Sequence, residues 1–67
     1  MTIAEIKKVL KTSFKNGLYI RRPHFVELDI EVYINKNGKT WQFVDDMVFD
    51  VELMQSELNA TDWEIVP

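Results

Sequence analysis

The stretch that decides the fold is Val26-Glu27-Leu28-Asp29-Ile30-Glu31-Val32-Tyr33-Ile34-Asn35-Lys36-Asn37-Gly38-Lys39-Thr40-Trp41-Gln42-Phe43-Val44. Val26, Leu28, Ile30, Val32 and Ile34 alternate with Glu27, Asp29, Glu31 and Tyr33, the two-residue period of a strand with one apolar face. Asn37-Gly38 is the preferred pair for a two-residue hairpin turn. A turn placed there pairs Ile34 with Trp41 and Val32 with Phe43, so that all four point into one core.

On the N-terminal side, Thr2-Ile3-Ala4-Glu5 has the form of a capping box. Ile3, Ile6, Val9, Leu10 and Phe14 then share one helical stripe, which predicts an amphipathic helix over 3–15 stopped by Gly17. Leu18 to Arg22 reads as a short strand ended by Pro23. On the C-terminal side, Met47-Val48-Phe49 reads as a strand after an Asp45-Asp46 turn. Asp50 is placed to cap a short helix through Leu58, with Val51, Met54, Gln55 and Leu58 at helical spacing. Trp63 and Ile65 alternate with Glu64 and Val66 as a closing strand. The fold expected is α+β: an N-terminal amphipathic helix packed on a small antiparallel sheet, with a short second helix before the last strand, in a single domain spanning 1–67.

Composition narrows the function. The chain has 67 residues, 46% hydrophobic and 28% charged, with no cysteine and one histidine. Disulfides, thiolate catalysis and cysteine metal sites are therefore excluded, and no metal site or cofactor is expected. No apolar run approaches the ~20 residues of a transmembrane helix, and MTIAEIKKVLK lacks the apolar core of a secretion signal, so a cytoplasmic protein is expected. A chain this short buries only about 60% of its unfolded surface. With no covalent staple, self-association into a homo-oligomer is expected to hide part of its two Trp, four Phe and two Tyr.

The net charge of -3 is unevenly spread. Residues 1–22 carry Lys7, Lys8, Lys11, Lys15, Arg21 and Arg22 against Glu5 alone. Residues 45–67 carry Asp45, Asp46, Asp50, Glu52, Glu57, Asp62 and Glu64 with no base. Either the two segments face each other in the fold, or one of them steers a partner. Glu27, Asp29 and Glu31 form the solvent face of an amphipathic strand or a ladder for a basic partner. Arg21 and Arg22 have the guanidinium forks that suit a phosphate; the alternative is one arginine exposed and the other in an ion pair.

No nucleophile elbow, zincin helix or Gly-rich phosphate loop is present, and His24 in a turn after Pro23 reads as a solvated or capping side chain, so catalysis is not expected. The sequence pI of about 4.9, with no aromatic residue among the helix lysines, argues against direct nucleic-acid binding. Asn59-Ala60-Thr61 matches the glycosylation pattern by chance in a chain without a secretion signal.

Arg21-Arg22-Pro23 and Leu58-Asn59-Ala60-Thr61-Asp62-Trp63-Glu64-Ile65-Val66, in that order after an amphipathic helix and a glycine, resemble the Thoeris anti-defence two-like family of small phage and prophage proteins. The resemblance runs over nearly the whole chain, and its closing segment is the more specific half. It implies a non-enzymatic, oligomeric counter-defence protein in the bacterial host cytoplasm that sequesters a nucleotide-derived immune signal. The matched positions are Arg21, Arg22, Asp62 and Trp63; His24 and Phe25 stand where the family usually has a tryptophan, which makes Phe25 the aromatic candidate. The rival reading is an acidic inhibitor, of the anti-CRISPR or host-takeover kind, whose Asp45, Asp46, Asp50, Glu52 and Glu57 occupy a basic nucleic-acid-binding surface of a host protein.

Overall fold

In the computed structural model, which covers residues 1–67, eight elements follow one another. They are α1 (Ile3–Lys11), β1 (Gly17–Arg21), α2 (Phe25–Leu28), β2 (Ile30–Asn35), β3 (Thr40–Val44), β4 (Met47–Val51), α3 (Gln55–Leu58) and β5 (Glu64–Ile65). The strands form one sheet in the order β4-β3-β2-β1-β5 with every neighbouring pair antiparallel. This is the α+β architecture expected from the sequence, and no helix is long and apolar enough to cross a membrane.

The capping box forms as read. The Glu5 N–H donates to Thr2 Oγ1 at 3.2 Å, and the Thr2 N–H donates to Glu5 Oε1 at 2.9 Å. The Thr2 backbone and hydroxyl bonds hold the Glu5 carboxyl below its ordinary pKa. Nine residues are too few for a stable isolated helix, so α1 depends on the sheet. Its Ile3, Ile6 and Leu10 are buried, each contributing about 1.5–3 kcal/mol.

α1 ends at Lys11, four residues before the expected end. The Thr12 hydroxyl donates back to the Val9 carbonyl at 3.1 Å, and the Ser13 hydroxyl accepts from the Lys15 N–H at 3.0 Å. These local bonds replace the helical ladder. Phe14 is consequently in full solvent contact, and Val9 is exposed, so neither joins the core stripe. Gly17 is no helix stop; it is the first residue of β1.

The long strand expected over 26–34 is cut in half. Residues 25–28 form α2, and Asp29 at φ 54° closes it. The reason is a shortage of partners. Pro23 stops β1 after Arg21, and β3 reaches back only as far as Val44, opposite Ile30. Residues 26–29 have no backbone to pair with, so the Phe25 N–H bonds to the Arg22 carbonyl at 2.9 Å and the chain turns. Val26 and Leu28 stay exposed while Phe25 swings into the core; Glu27 and Asp29 never enter a strand ladder.

The hairpin shows a one-residue correction. The Asn35 N–H donates to the Lys39 carbonyl at 3.0 Å, which leaves a three-residue loop, Lys36-Asn37-Gly38, with Gly38 at φ 83°. Asn35 Oδ1 accepts from the N–H groups of Asn37 and Lys39 and fixes this loop. Ile34 therefore faces Thr40, Val32 faces Gln42, and Tyr33 faces Trp41. Because the strand period is two, the slip moves Trp41 and Phe43 out of the core to the opposite face. The position expected for Trp41 goes to the buried Thr40, whose hydroxyl donates to the Val51 carbonyl at 2.6 Å.

Asp50 lies within β4 and does not cap a helix; α3 is confined to 55–58, where Glu57 Oε1 accepts from the Met54 N–H at 3.1 Å. The core comprises Ile3, Ile6, Leu10, Leu18, Ile20, Phe25, Val32, Ile34 and Trp63, all on the helix side of the sheet. Trp63 is its largest member: the ring meets Phe25 edge-to-face at 5.6 Å and the indole N–H donates to the Glu57 carbonyl at 2.8 Å.

Candidate ligand-binding face

With Leu18, Ile20, Val32 and Ile34 turned toward α1, the alternation sends Tyr19, Arg21, Glu31 and Tyr33 to the other side of the sheet. The hairpin register adds Trp41 and Phe43 to that side, and β4 adds Val48 and Asp50. α1 packs on the other side of the sheet; on this side Tyr19, Val48 and Asp50 are exposed, and Arg21, Glu31, Tyr33, Trp41 and Phe43 are half-buried.

Four aromatic rings form one connected group on it. Tyr19 stands opposite Tyr33, and Tyr33 opposite Trp41, in a row that crosses three strands. Ring centroids are 4.9 Å apart for Tyr19–Tyr33, 5.5 Å for Tyr19–Phe43 and 5.8 Å for Tyr33–Trp41, the spacing of favourable edge-on and tilted pairs. The Lys39 ammonium lies 5.1 Å from the Trp41 ring centre and 3.9 Å from Asp50. Gly17 is what lets Tyr33 lie along the sheet: a Cβ at Gly17 would overlap the Cζ and hydroxyl of that ring. Between Gly17, Tyr19 and Trp41, Tyr33 is half-buried. Tyr19 is 42% exposed.

Arg21 is on the same side as Tyr19, two residues along β1, with its Nε 3.4 Å from Glu64 Oε1 on β5. Arg22, just past the strand, grips Asp62 through two bonds, Nε to Oδ1 at 2.7 Å and Nη2 to Oδ2 at 3.3 Å. That fork holds the Asp62 carboxyl below, and the Arg22 guanidinium above, their ordinary pKa values. The pairing of β5 with β1 thus brings Arg21, Arg22, Phe25, Asp62 and Trp63 to one corner of the molecule. Their roles divide. Trp63 and Phe25 are 1% and 7% exposed, core residues with no ring face free, whereas the two arginines reach solvent beside their carboxylates.

The acidic residues do not form one face. Asp45 and Asp46 make the β3–β4 turn, Asp50 is on the open face, Glu52 follows β4, and Glu57 lies on α3. On the helix side, Lys7, Lys8, Lys11 and Lys36 line a cleft of about 330 Å³ between α1 and the hairpin loop, with no carboxylate among its walls.

Tyr19, Tyr33, Trp41 and Phe43 went unselected in the sequence reading. The signal was there, since four aromatics occur within two adjacent strands and the strand before them, but the assumed register put two of them inside. The fold and this surface define a two-layer α+β module with an aromatic open sheet face. Comparison with family models, curated proteins and solved structures finds no match to the chain.

Proposed function

We propose that the protein is a non-enzymatic binding module that captures a small nucleotide-derived signal and withholds it from its receptor. This is the counter-defence role that the sequence resemblance implies, exercised in the cytoplasm of a bacterial host. The observation that supports it is the Tyr19–Tyr33–Trp41 row on an open sheet face that also carries Arg21. A base stacked on an aromatic side chain gains about 1–3 kcal/mol. Arg21, about 7 Å along the strand from Tyr19, is within reach of the phosphate of the same nucleotide. The guanidinium of Arg21, now on one oxygen of Glu64, and that of Arg22, now on both oxygens of Asp62, each carry parallel N–H donors that suit two oxygens of a phosphate as well as those of a carboxylate. A second copy set against this face closes the other side of the bound ring, which is how a homo-oligomer forms the pocket.

The test is thermal unfolding against cyclic mononucleotides, cyclic dinucleotides and cyclic ADP-ribose isomers. A ligand present at 100 times its dissociation constant adds about 2.7 kcal/mol. At roughly 4–8 °C per kcal/mol for a domain this small, the midpoint rises by more than about 10 °C. Tyr33→Ala and Arg21→Ala are each expected to abolish that rise while the far-ultraviolet spectrum stays native. A panel without any shift, or a shift that survives both substitutions, overturns the reading. A shift lost only in Arg22→Ala moves the site to the Arg22–Asp62 corner.

A further inference from the structure

We propose that β4 is a docking edge for an extended, basic segment of another polypeptide, which joins the sheet as a sixth strand. The surface is separate from the arginine end of the sheet, and the proposal stands or falls independently of the nucleotide reading.

β4 ends the strand order with β3 as its one neighbour. Met47, Val48 and Phe49 are 55%, 54% and 48% exposed, so apolar side chains stand in solvent on both faces of the strand. Antiparallel ladders alternate, and the Asn35–Lys39 bond at the hairpin sets their phase. Trp41 and Phe43 spend their backbone groups on β2, while Thr40, Gln42 and Val44 direct theirs to Val51, Phe49 and Met47. That leaves the N–H and C=O of Val48 and Asp50 pointing out of the sheet. Monomeric proteins blunt such edges with proline, a bulge or charged side chains. β4 has neither proline nor bulge, its register against β3 is unbroken over five residues, and its one charge, Asp50, repels a like edge while leaving a basic strand free to pair.

Charge selects the occupant. Asp50 shares a face with Val48, Asp46 stands in the turn before the strand and Glu52 directly after it, so carboxylates sit along the whole length of the edge. The opposite face carries Met47, Phe49 and Val51. The complement of that edge is a strand with basic residues at every second position and apolar residues between them. A second copy does not fit. Antiparallel self-pairing centred on Phe49 sets Asp46 against Glu52; centred on Val48 it sets Asp46 against Asp50; centred on Asp50 it sets that carboxylate against itself. Like charges directly opposite destabilise a strand pair.

The experiment uses two synthetic peptides, Lys-Val-Lys-Val-Lys-Val and Glu-Val-Glu-Val-Glu-Val, titrated into the isotopically labelled full chain. The lysine peptide is expected to bind, to slow amide exchange at Val48 and Asp50 by at least tenfold, and to weaken with salt. Val48→Pro removes an outward N–H at a position where an edge strand accepts proline. It is expected to keep the native spectrum and lose at least tenfold in affinity. A double variant, D46K with E52K, which leaves β4 itself intact, is expected to prefer the glutamate peptide. Unchanged exchange at Val48 and Asp50, equal binding of both peptides, or undiminished binding to Val48→Pro overturns the proposal. A dimer in sedimentation that Val48→Pro dissolves also overturns it, by giving the edge to a second copy.

Discussion

The two ends of the sheet treat apolar side chains in opposite ways. Around β1 and β5, Ile20, Phe25 and Trp63 are buried, and the arginines there are each matched to a carboxylate. At the other end, Met47, Val48 and Phe49 stand exposed, and of the carboxylates around them only Asp50 has a basic partner, at 3.9 Å. The difference comes from α1. A nine-residue helix is about 14 Å long and covers the middle of the sheet, with Trp63 and Phe25 filling one flank. Nothing of similar bulk reaches β4, where α3 has four residues and buries none. One half of the molecule holds the fold, and the other offers surface.

Substitutions at the two ends test that division directly. Trp63→Ala removes the largest core side chain and the indole bond to Glu57, at about 3–5 kcal/mol, against a whole stability of about 3–10 kcal/mol for a chain this size. Phe49→Ala, at the exposed end, is expected to stay within about 0.5 kcal/mol. Urea unfolding of both variants reads the contrast, and equal losses would erase it. Between these extremes lies the open face. Gly17→Ala drives a methyl group into the Tyr33 ring, for a cost of about 1–3 kcal/mol. The near-ultraviolet circular dichroism of the aromatic row is expected to change with it; an unaltered spectrum would mean that Tyr33 does not rest on that glycine.

The smallest effect is electrostatic. The folded Asp62 binds its proton more weakly than the unfolded chain does, because the Arg22 fork favours the carboxylate. Its contribution is therefore complete above the ordinary carboxylate range and disappears as pH falls through the lowered value. Glu5 acts in the same direction through its bonds to Thr2. Asp62→Asn is expected to flatten part of the fall in melting temperature as pH drops below about 5. Arg22→Ala should flatten the same part. An undiminished acid slope in either variant would mean that the pair adds nothing at this end of the sheet.

Much of the fold could be read from the chain, and the loss at the site has one source. The capping box, the apolar stripe from Ile3 to Leu10, the Asp45-Asp46 turn and the closing strand at Glu64–Ile65 all carry local signals, and all are present. Strand register is not local. Asn37-Gly38 suits a two-residue turn, but Asn35 spends its side chain on the N–H groups of Asn37 and Lys39, and the loop takes three. That single residue decides whether Trp41 and Phe43 are core or surface. The alternation from Val26 to Leu28 misled for a related reason: period reports what a segment suits, while a strand also needs neighbours of matching length. The pairing of Arg22 with Asp62 across forty residues carries no local signal; a tryptophan that opens a final strand does suit the core, as Trp63 shows, whereas the turn of Phe25 into the core depends on the missing strand partner beside it.

The bare edge of β4 also sets the conditions under which the protein can be kept. Met47 to Val51 has the make-up of a cross-β segment, with high strand propensity and neither proline nor glycine. Asp45, Asp46, Asp50 and Glu52 are its gatekeepers, since their mutual repulsion is what holds two edges apart. They guard it only while their charges are felt across the gap between two molecules. In 1 M salt the reach of that repulsion falls to about 3 Å, and the same edge becomes a template for the next molecule, so concentrated salt should turn a monodisperse solution into fibres with a repeat of about 4.7–4.8 Å.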